Sequence, residues 1–377
     1  MLLFETGEDN KPKLVPSKFR RDDEGQYWEF RGAFAGRNVF VPAPPWAGNI
    51  NPYLFEGPNI IIGIHAKPLC NVPVLKRGAD PVDGGNLIMT AEEKDELLRL
   101  YPNAEPFLRP FMMGRDFINR HYRWCVWLVG AEPADIRKFP RILERIGKVR
   151  EFRLSSKSKA AQRAADKPML FLAPRECKTH YLAIPKVSSS ARRYIPIEWL
   201  SPDVIAGDKL FVCENATLYQ FGILNSSVHM SWVRHISGRL RMDFSYSNTI
   251  DYNAFPWPSI SDAVIRAVER TAQEILDARK LYPKSTLADL YDERTMPPEL
   301  RKAHKHNDEA VMNAYGFKRR FDDDNFHDED IAINLMYMYK DLTGCREYYE
   351  SYPNLMLWEH WYGKYNDDGE EGGGDDE

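Results

Sequence analysis

The apolar positions of this chain change period repeatedly, and each change predicts an element. Leu218, Phe221, Leu224, Val228, Trp232 and Ile236 recur at steps of three and four, which lines one face of a helix, so a single buried or docking helix is predicted over 218–236. Gly238 should end it, because glycine tolerates the left-handed turn that terminates helices. Beyond it the period becomes two. Phe244, Tyr246, Asn248, Ile250 and Tyr252 alternate as in a strand until Phe255-Pro256-Trp257-Pro258 halts it.

Upstream the predicted elements are shorter. Tyr27-Trp28-Glu29-Phe30 predicts a strand after an exposed loop at 20–24. Thr90 and Glu93 form a capping box, in which hydroxyl and carboxylate each satisfy an amide at a helix start; this explains Glu92-Glu93-Lys94 better than a nuclease-type Glu-x-Lys. Trp124, Val126 and Leu128 alternate with Arg123, Cys125 and Trp127, as in a strand buried on at least one face. A helical segment interrupted at Pro140 covers 135–153, and the polar, small-residue stretch 155–167 predicts an exposed loop or arm. Short strands are predicted at 169–172, 181–184, 194–197 and 209–213, the grammar of a largely antiparallel region.

After Pro258 the texture turns helical. Ser261 should cap a helix bearing Val264, Val268 and Ile275; a short turn follows at 287–291, then a helix from Pro297 towards Gly316. A last helix over roughly 330–342 presents Ile331, Leu335, Met338 and Tyr339. The fold class expected is α+β: a mostly antiparallel, β-rich domain with inserted helices, followed by a helical C-terminal subdomain. The expected divisions are 1–48, 49–258, 259–345, and a tail over 346–377 that is aromatic, then acidic and without a core.

Charge sharpens this outline. The net formal charge of -4 hides an asymmetry: residues 135–193 hold 16 Lys or Arg against 5 Asp or Glu, and residues 321–377 hold 3 against 17. A basic surface is the electrostatic footprint of a phosphate-binding protein. A chain of 377 residues can bury an ample core, contains no run of eighteen apolar residues, and begins without the basic and apolar stretches of a signal peptide, so a cytoplasmic protein without a membrane partner is expected. The five cysteines are scattered and never paired as CxxC, so they should be reduced and mostly buried.

Candidate chemistry lies in Lys186-Val187-Ser188-Ser189-Ser190-Ala191-Arg192-Arg193-Tyr194. Hydroxyls and guanidinium groups on a loop are the groups that reach base edges, arginine in pairs to guanine and serine as donor or acceptor. The residues expected to contact DNA are Ser189, Ser190, Arg192, Arg193 and Lys186 around this loop, Lys157, Lys159 and Arg163 on the basic arm, and Arg239 and Arg241 beyond the central helix. Catalytic constellations are not found. Asn51-Pro52-Tyr53 has one proline and no preceding glycine-rich strand-turn-helix, so it predicts a turn; His229 and His235 face different directions, and His304 and His306 sit on a polar helix face without metal-ligand spacing. His180 near Cys177 reads as a strand-edge pair rather than base and nucleophile.

The run HMSWVRHISGRLRMDFSYSNTIDYNAFPWP resembles the segment closing the target-recognition domain of MmeI-like (type IIL) restriction-modification enzymes and their adenine methyltransferase relatives. Similar blocks are Asn51-Pro52-Tyr53-Leu54, Lys67-Pro68-Leu69-Cys70-Asn71, Arg109-Pro110-Phe111, Arg115-Asp116-Phe117-Ile118-Asn119 and Arg123-Trp124-Cys125-Val126-Trp127-Leu128, and MPPELRKAH and DEAVMNAYGF resemble the helical end of the same family. The resemblance covers about 49–345 and implies a strand over 59–64, after Asn51-Pro52-Tyr53-Leu54. It implies a sequence-specific duplex DNA recognition module of an N6-adenine methyltransferase or restriction-modification system. The methyltransferase and nuclease motifs of such enzymes are not found here, which leaves open whether the chain is itself an enzyme. S-adenosylmethionine would then belong to a methyltransferase domain or subunit, which joins duplex DNA as an expected partner; 1–48 is where a catalytic domain would be joined. The competing expectation is a scaffold that docks a methyltransferase subunit through the helical end and the acidic tail.

Overall fold

In the computed structural model, residues 49–259, 261–317 and 328–345 are described in full, and before residue 49 five strands are described by their backbone pairing. The chain forms two compact units, one of residues 64–328 and one of residues 1–63 with 329–377.

In the second of these units, β1 (Leu3–Thr6) pairs antiparallel with β2 (Pro12–Val15), while β3 (Phe19–Arg21), β4 (Tyr27–Phe34) and β5 (Arg37–Pro42) form a meander. The strand expected at Tyr27 is present, whereas Arg20 and Arg21, expected in a loop, lie in β3 and pair with Trp28 and Tyr27. Asn51-Pro52-Tyr53 is a turn as expected, closed by the Asn51 Oδ1 accepting from the Tyr53 amide at 2.9 Å. Residues 59–64 are not a strand; the Ile62 amide is satisfied by the Tyr53 hydroxyl at 2.7 Å and the Gly63 amide by the Tyr339 hydroxyl at 2.9 Å, so side chains take the place of a ladder.

The larger unit begins with β6 (Lys76–Arg77), β7 (Ile88–Met89), α1 (Ala91–Leu100), β8 (Leu108–Met112), α2 (Gly114–Ile118) and β9 (Arg123–Val126). The capping box forms as expected: the Thr90 amide donates to Glu93 Oε2 at 2.9 Å and the Glu93 amide to Thr90 Oγ1 at 3.3 Å. α3 (Pro133–Ile136), α4 (Pro140–Leu154) and α5 (Lys159–Ala164) follow, then β10 (Tyr181–Pro185), β11 (Val187–Ser188), β12 (Glu198–Leu200), β13 (Ile205–Ala206) and β14 (Leu210–Glu214). Residues 169–172 and 194–197, expected as strands, are not; only Ala173 makes an isolated bridge, to Asp80. Two four-stranded sheets result, ordered β13-β8-β9-β7 and β12-β10-β14-β6, antiparallel throughout except where β13 runs parallel to β8. Cys125 to Leu128 are all buried, rather than alternately: Cys125 and Val126 lie in β9 between β7 and β8, and Trp127 and Leu128 beyond the strand join the same core. Phe171 packs edge-on against Phe111 at 5.9 Å and Trp127 at 5.3 Å in the core behind this sheet.

The central stretch departs most from its periodicity. Instead of one helix it forms α6 (Leu218–Leu224) and α7 (Ser227–Ile236), broken at Asn225 and Ser226, both fully buried. Ser226 caps α7, its hydroxyl accepting from the His229 amide at 3.2 Å, while the Asn225 amide group donates to the Phe221 carbonyl at 2.9 Å. The apolar stripe runs on across the break, so the period alone conceals it. Beyond lie the hairpin β15 (Gly238–Leu240) and β16 (Asp243–Ser245); the strand expected as far as Tyr252 stops there, and Asn248–Tyr252 is a π-helical turn. Ser237 and Ser247 hold the Asp251 carboxylate, at 3.1 Å and 2.5 Å, which fixes that turn against the end of α7.

Three helices complete the larger unit: α8 (Asp262–Lys280), α9 (Leu287–Leu290) and α10 (Pro298–Ala314), with α8 capped by Ser261 as expected. Gly222 lets α6 lie against α8 and α10, since a Cβ there would stand 2.6 Å from Val268 and 3.1 Å from Asn307. α11 (Asp328–Thr343) buries Ile331, Leu335 and Tyr339. The acidic stretch at 321–324 and the tail at 346–377 lie outside the described residues. Cys125 and Cys213 are buried, but Cys70, Cys177 and Cys345 are half-buried, fewer than expected. No helix among the described residues is long and apolar enough to cross a membrane.

Candidate nucleic-acid interface

The loop at 189–193 is positioned by strand pairing on one side and by buried side chains on the other. β11 pairs antiparallel with β16, Val187 opposite Ser245 and Ser188 opposite Phe244. The loop therefore leaves β11 at the end of the sheet where the β15–β16 hairpin turns, through Arg241 and Met242. Ser190 donates its amide to Asp243 Oδ1 at 3.3 Å, and Arg234 on α7 donates to the Arg193 carbonyl at 2.9 Å while pairing with Asp328. Arg239 donates in turn to the Arg234 carbonyl at 2.8 Å and lies 4.1 Å over the Phe244 ring.

The far anchor is Tyr194. Its hydroxyl donates to Asp308 Oδ2 at 2.6 Å, and the other carboxylate oxygen accepts the Ser227 amide at the start of α7 at 2.7 Å. The Tyr194 ring stacks on His304 at 4.0 Å. His304 was expected on a polar face but is fully buried, and only its neighbour His306 reaches the surface, 2.7 Å from Glu274. His304 Nδ1 faces the Asn225 carbonyl at 3.2 Å, and so donates; Nε2 then accepts from the Tyr291 hydroxyl at 2.9 Å. Tyr291 accepts from Arg279, which also donates to the Ile197 carbonyl at 2.7 Å. Burial, and then the Arg279 charge, hold His304 well below the usual imidazole range, in keeping with this neutral tautomer. Sequence reasoning missed this network, which ties the loop at 189–193 to α7, α8 and α10.

Ser189 is half-buried, its hydroxyl accepting the Ala191 amide at 3.3 Å; Ser190 and Arg193 are exposed. Arg192 is half-buried and lines two cavities, one of about 480 Å³ with Met113, Arg115, Val187 and Lys209, the other of about 300 Å³ with Ser190, Arg193, Arg234 and Glu293. Lys186 points to the other side, 4.8 Å over the Phe211 ring, where burial and the nearby Arg77 lower its pKa to about 8. Arg239 and Arg241 are exposed beside the loop, so the fold brings together Ser189, Ser190, Arg192, Arg193, Arg239 and Arg241.

Lys157, Lys159 and Arg163 are exposed elsewhere, outside both cavities that Arg192 lines. Their stretch, expected as a loop, includes the short helix α5, capped by Ser158. It is held by Arg153, which the charge count placed among the surface cations but which is fully buried. Arg153 gives its donors to five carbonyls: Nε to Val82 at 2.9 Å, Nη1 to Ala164 and Lys167 at 3.0 and 3.1 Å, and Nη2 to Pro81 and Leu170 at 3.0 and 2.7 Å. Arg145 is likewise engaged, with Glu93 at 2.7 Å and the Asn86 carbonyl at 2.9 Å.

Other titratable groups act as packing. Burial lowers the pKa of His229 to about 3, and its Nε2 meets the Tyr246 hydroxyl at 3.0 Å; burial, then Glu214, raises the Cys177 thiol to about 12. Burial also raises Asp251 to about 7 and Asp308 to about 6. The folded chain thus holds these two protons more tightly than the unfolded chain, whose aspartates titrate near about 3.9. Their stabilising contribution is full below that value and is lost as pH rises through about 4 to 7. Urea unfolding at pH 5 and 7.5 should show a loss between the two that shrinks in Asp251→Asn; an undiminished loss in the variant would refute the assignment.

Residues 56–259 match the family model described as MmeI, target recognition domain, and residues 260–344 that described as MmeI, C-terminal domain. The chain is 36% identical over 295 residues to the DNA methyltransferase A of Bacillus subtilis (strain 168), across 78% of this chain and 33% of that protein. It is similar to the solved structure of the Type IIL restriction-modification enzyme MmeI in complex with DNA, with a TM-score of 0.76, 34% identity, and coverage of 91% of this chain and 45% of that one. It therefore spans less than half the length of these relatives.

Proposed function

Because the chain belongs to the MmeI-like family, whose target recognition and C-terminal domains it carries, we propose that it selects a duplex DNA site for an N6-adenine methyltransferase of a restriction-modification system. The observation that carries this reading is the Ser189–Arg193 loop, with polar side chains at its surface and a backbone fixed at Ser190, Arg193 and Tyr194. A loop held this way loses little further entropy on binding, and its guanidinium and hydroxyl groups match base edges in the major groove. The basic arm bearing Lys157, Lys159 and Arg163 would contact phosphates and set register without reading sequence.

The methyl transfer itself would lie with a methyltransferase domain or subunit, where S-adenosylmethionine supplies the methyl group. The 480 Å³ cavity does not suit that cofactor, since its sulfonium and ammonium are cationic and the lining includes Arg115, Arg192 and Lys209. Extrusion of the target adenine would be completed by that partner.

Titration of duplex DNA at several salt concentrations tests the proposal. Binding should tighten as salt falls, with log K against log salt sloping by about -0.9 for each phosphate neutralised. Absence of binding at low salt, or binding without a slope, would count against it.

A further inference from the structure

We propose that Asp308, on α10, is a positioning residue for sequence choice: buried and out of reach of DNA, it fixes where the loop at 189–193 presents Arg193. The proposal rests on the DNA reading above. It extends that reading to the helical end, since Asp308 lies in the part of the chain that matches the MmeI C-terminal domain.

A closed ring of contacts runs through this one carboxylate. Its Oδ2 accepts from the Tyr194 hydroxyl at 2.6 Å, and Tyr194 follows Arg193 directly in the chain. Its Oδ1 accepts the Ser227 amide at 2.7 Å, at the first residue of α7. Two turns further along that helix, Arg234 donates to the Arg193 carbonyl at 2.9 Å. Arg193 is therefore held twice, through its own carbonyl and through the next side chain, and both holds lead back to Asp308. A shift of the carboxylate moves Tyr194 and α7 together, and Arg193 with them.

Stability alone does not account for a carboxylate at this place. Asp308 is 8% exposed, and burial raises its pKa to about 6, against the hydrogen bonds from Tyr194 and Ser227 that lower it. An apolar side chain of the same outline would fill the space without that desolvation, and such replacements are often neutral or stabilising. Direction is what an apolar group cannot supply. Two hydrogen bonds from one carboxylate fix two elements at set lengths and angles, and the negative charge faces the positive end of α7, whose first amides have no partner within the helix. The neighbouring contacts also hold Tyr194 still. Its ring stacks on His304 at 4.0 Å, and Arg279 on α8 donates to the Ile197 carbonyl just beyond it at 2.7 Å. The Arg193 guanidinium lies 5.9 Å from the same ring, so its place follows that of Tyr194.

The experiment uses the full chain, a duplex that it selects from a random-sequence pool, and a duplex of random sequence. Asp308→Leu keeps the side-chain outline and removes both acceptors; Tyr194→Phe removes the donor and keeps the ring. In Asp308→Leu the selected duplex should bind about tenfold more weakly, the order of one lost base contact, while the random duplex binds as before and the salt slope is unchanged. The urea midpoint should fall too, because the Tyr194 hydroxyl is left buried without an acceptor. Adding Tyr194→Phe removes that hydroxyl, so the midpoint should rise again while discrimination stays lost. Tyr194→Phe alone should show the same loss of discrimination, and carries the comparison if Asp308→Leu does not fold. Unchanged discrimination, equal loss on both duplexes, or discrimination that returns with the midpoint would leave Asp308 a purely structural residue and overturn the inference while the DNA reading stands. If the unaltered chain selects no duplex and binds none at low salt, the DNA reading itself falls, and the positioning role with it.

Discussion

Replacing Arg153 with methionine should destabilise the larger unit by several kcal/mol, since each buried carbonyl left without a donor costs about 1–3 kcal/mol. The stem of the side chain is nearly conserved in methionine, so lost packing contributes little; the cost comes from the carbonyls of Pro81, Val82, Ala164, Lys167 and Leu170, which lose their donor together. Arg153→Lys should not restore stability, because one ammonium carries three donors on a single atom and cannot span the five acceptors that the planar guanidinium reaches. The change should be local as well as global. Two of those carbonyls, Ala164 and Lys167, lie at the last residue of α5 and just past it, so limited proteolysis should cut within 155–167 far faster in the variant than in the parent. An Arg153→Met chain with unaltered urea midpoint and cleavage pattern would show that water satisfies these carbonyls as well as the guanidinium does.

Changing Arg192 and Arg193 together to alanine should produce the largest loss of DNA affinity, about 1–3 kcal/mol for each side chain that contacts a base, with discrimination between sequences falling in step. The two should differ in detail. Arg193 is exposed beside the tethered carbonyl, whereas Arg192 is half-buried against two cavities and close to Asp243 and Asp292, so its removal leaves packing space behind. Changing Lys157, Lys159 and Arg163 to alanine should weaken binding to all sequences alike and flatten the salt slope. Electrophoretic competition between a selected duplex and random duplex separates the two outcomes. Equal loss on both duplexes for the Arg192 and Arg193 pair would place these arginines on phosphates and move sequence choice elsewhere.

Much of the fold was legible because its signals are local. A capping box needs only Thr90 and Glu93, and Ser261 announces α8 without reference to anything distant. The break between α6 and α7 was also written locally, in Asn225-Ser226-Ser227, but the apolar period outweighed it, since a stripe of buried residues can continue across two helices that share one face. The strand prediction running on to Tyr252 failed for a related reason: alternation reports which residues are buried, and a π-turn can bury the same ones, while the strand that the resemblance implied at 59–64 is an extended segment satisfied by side chains.

By itself, then, the sequence determined the family, the α+β class and the residue types of the loop at 188–193, all of which depend on composition and short-range order. Tertiary structure alone decided which cations are surface and which are core. Arg153 sits in a basic run like its neighbours, and only the carbonyls of Pro81 and Val82, about 70 positions earlier, take it out of water. It also decided what holds the loop, since Tyr194 finds Asp308 across 114 positions. The physical reason is the same in both cases. A polar side chain can be buried only where partners satisfy it, and those partners are brought by the packing of distant elements, which no local pattern encodes.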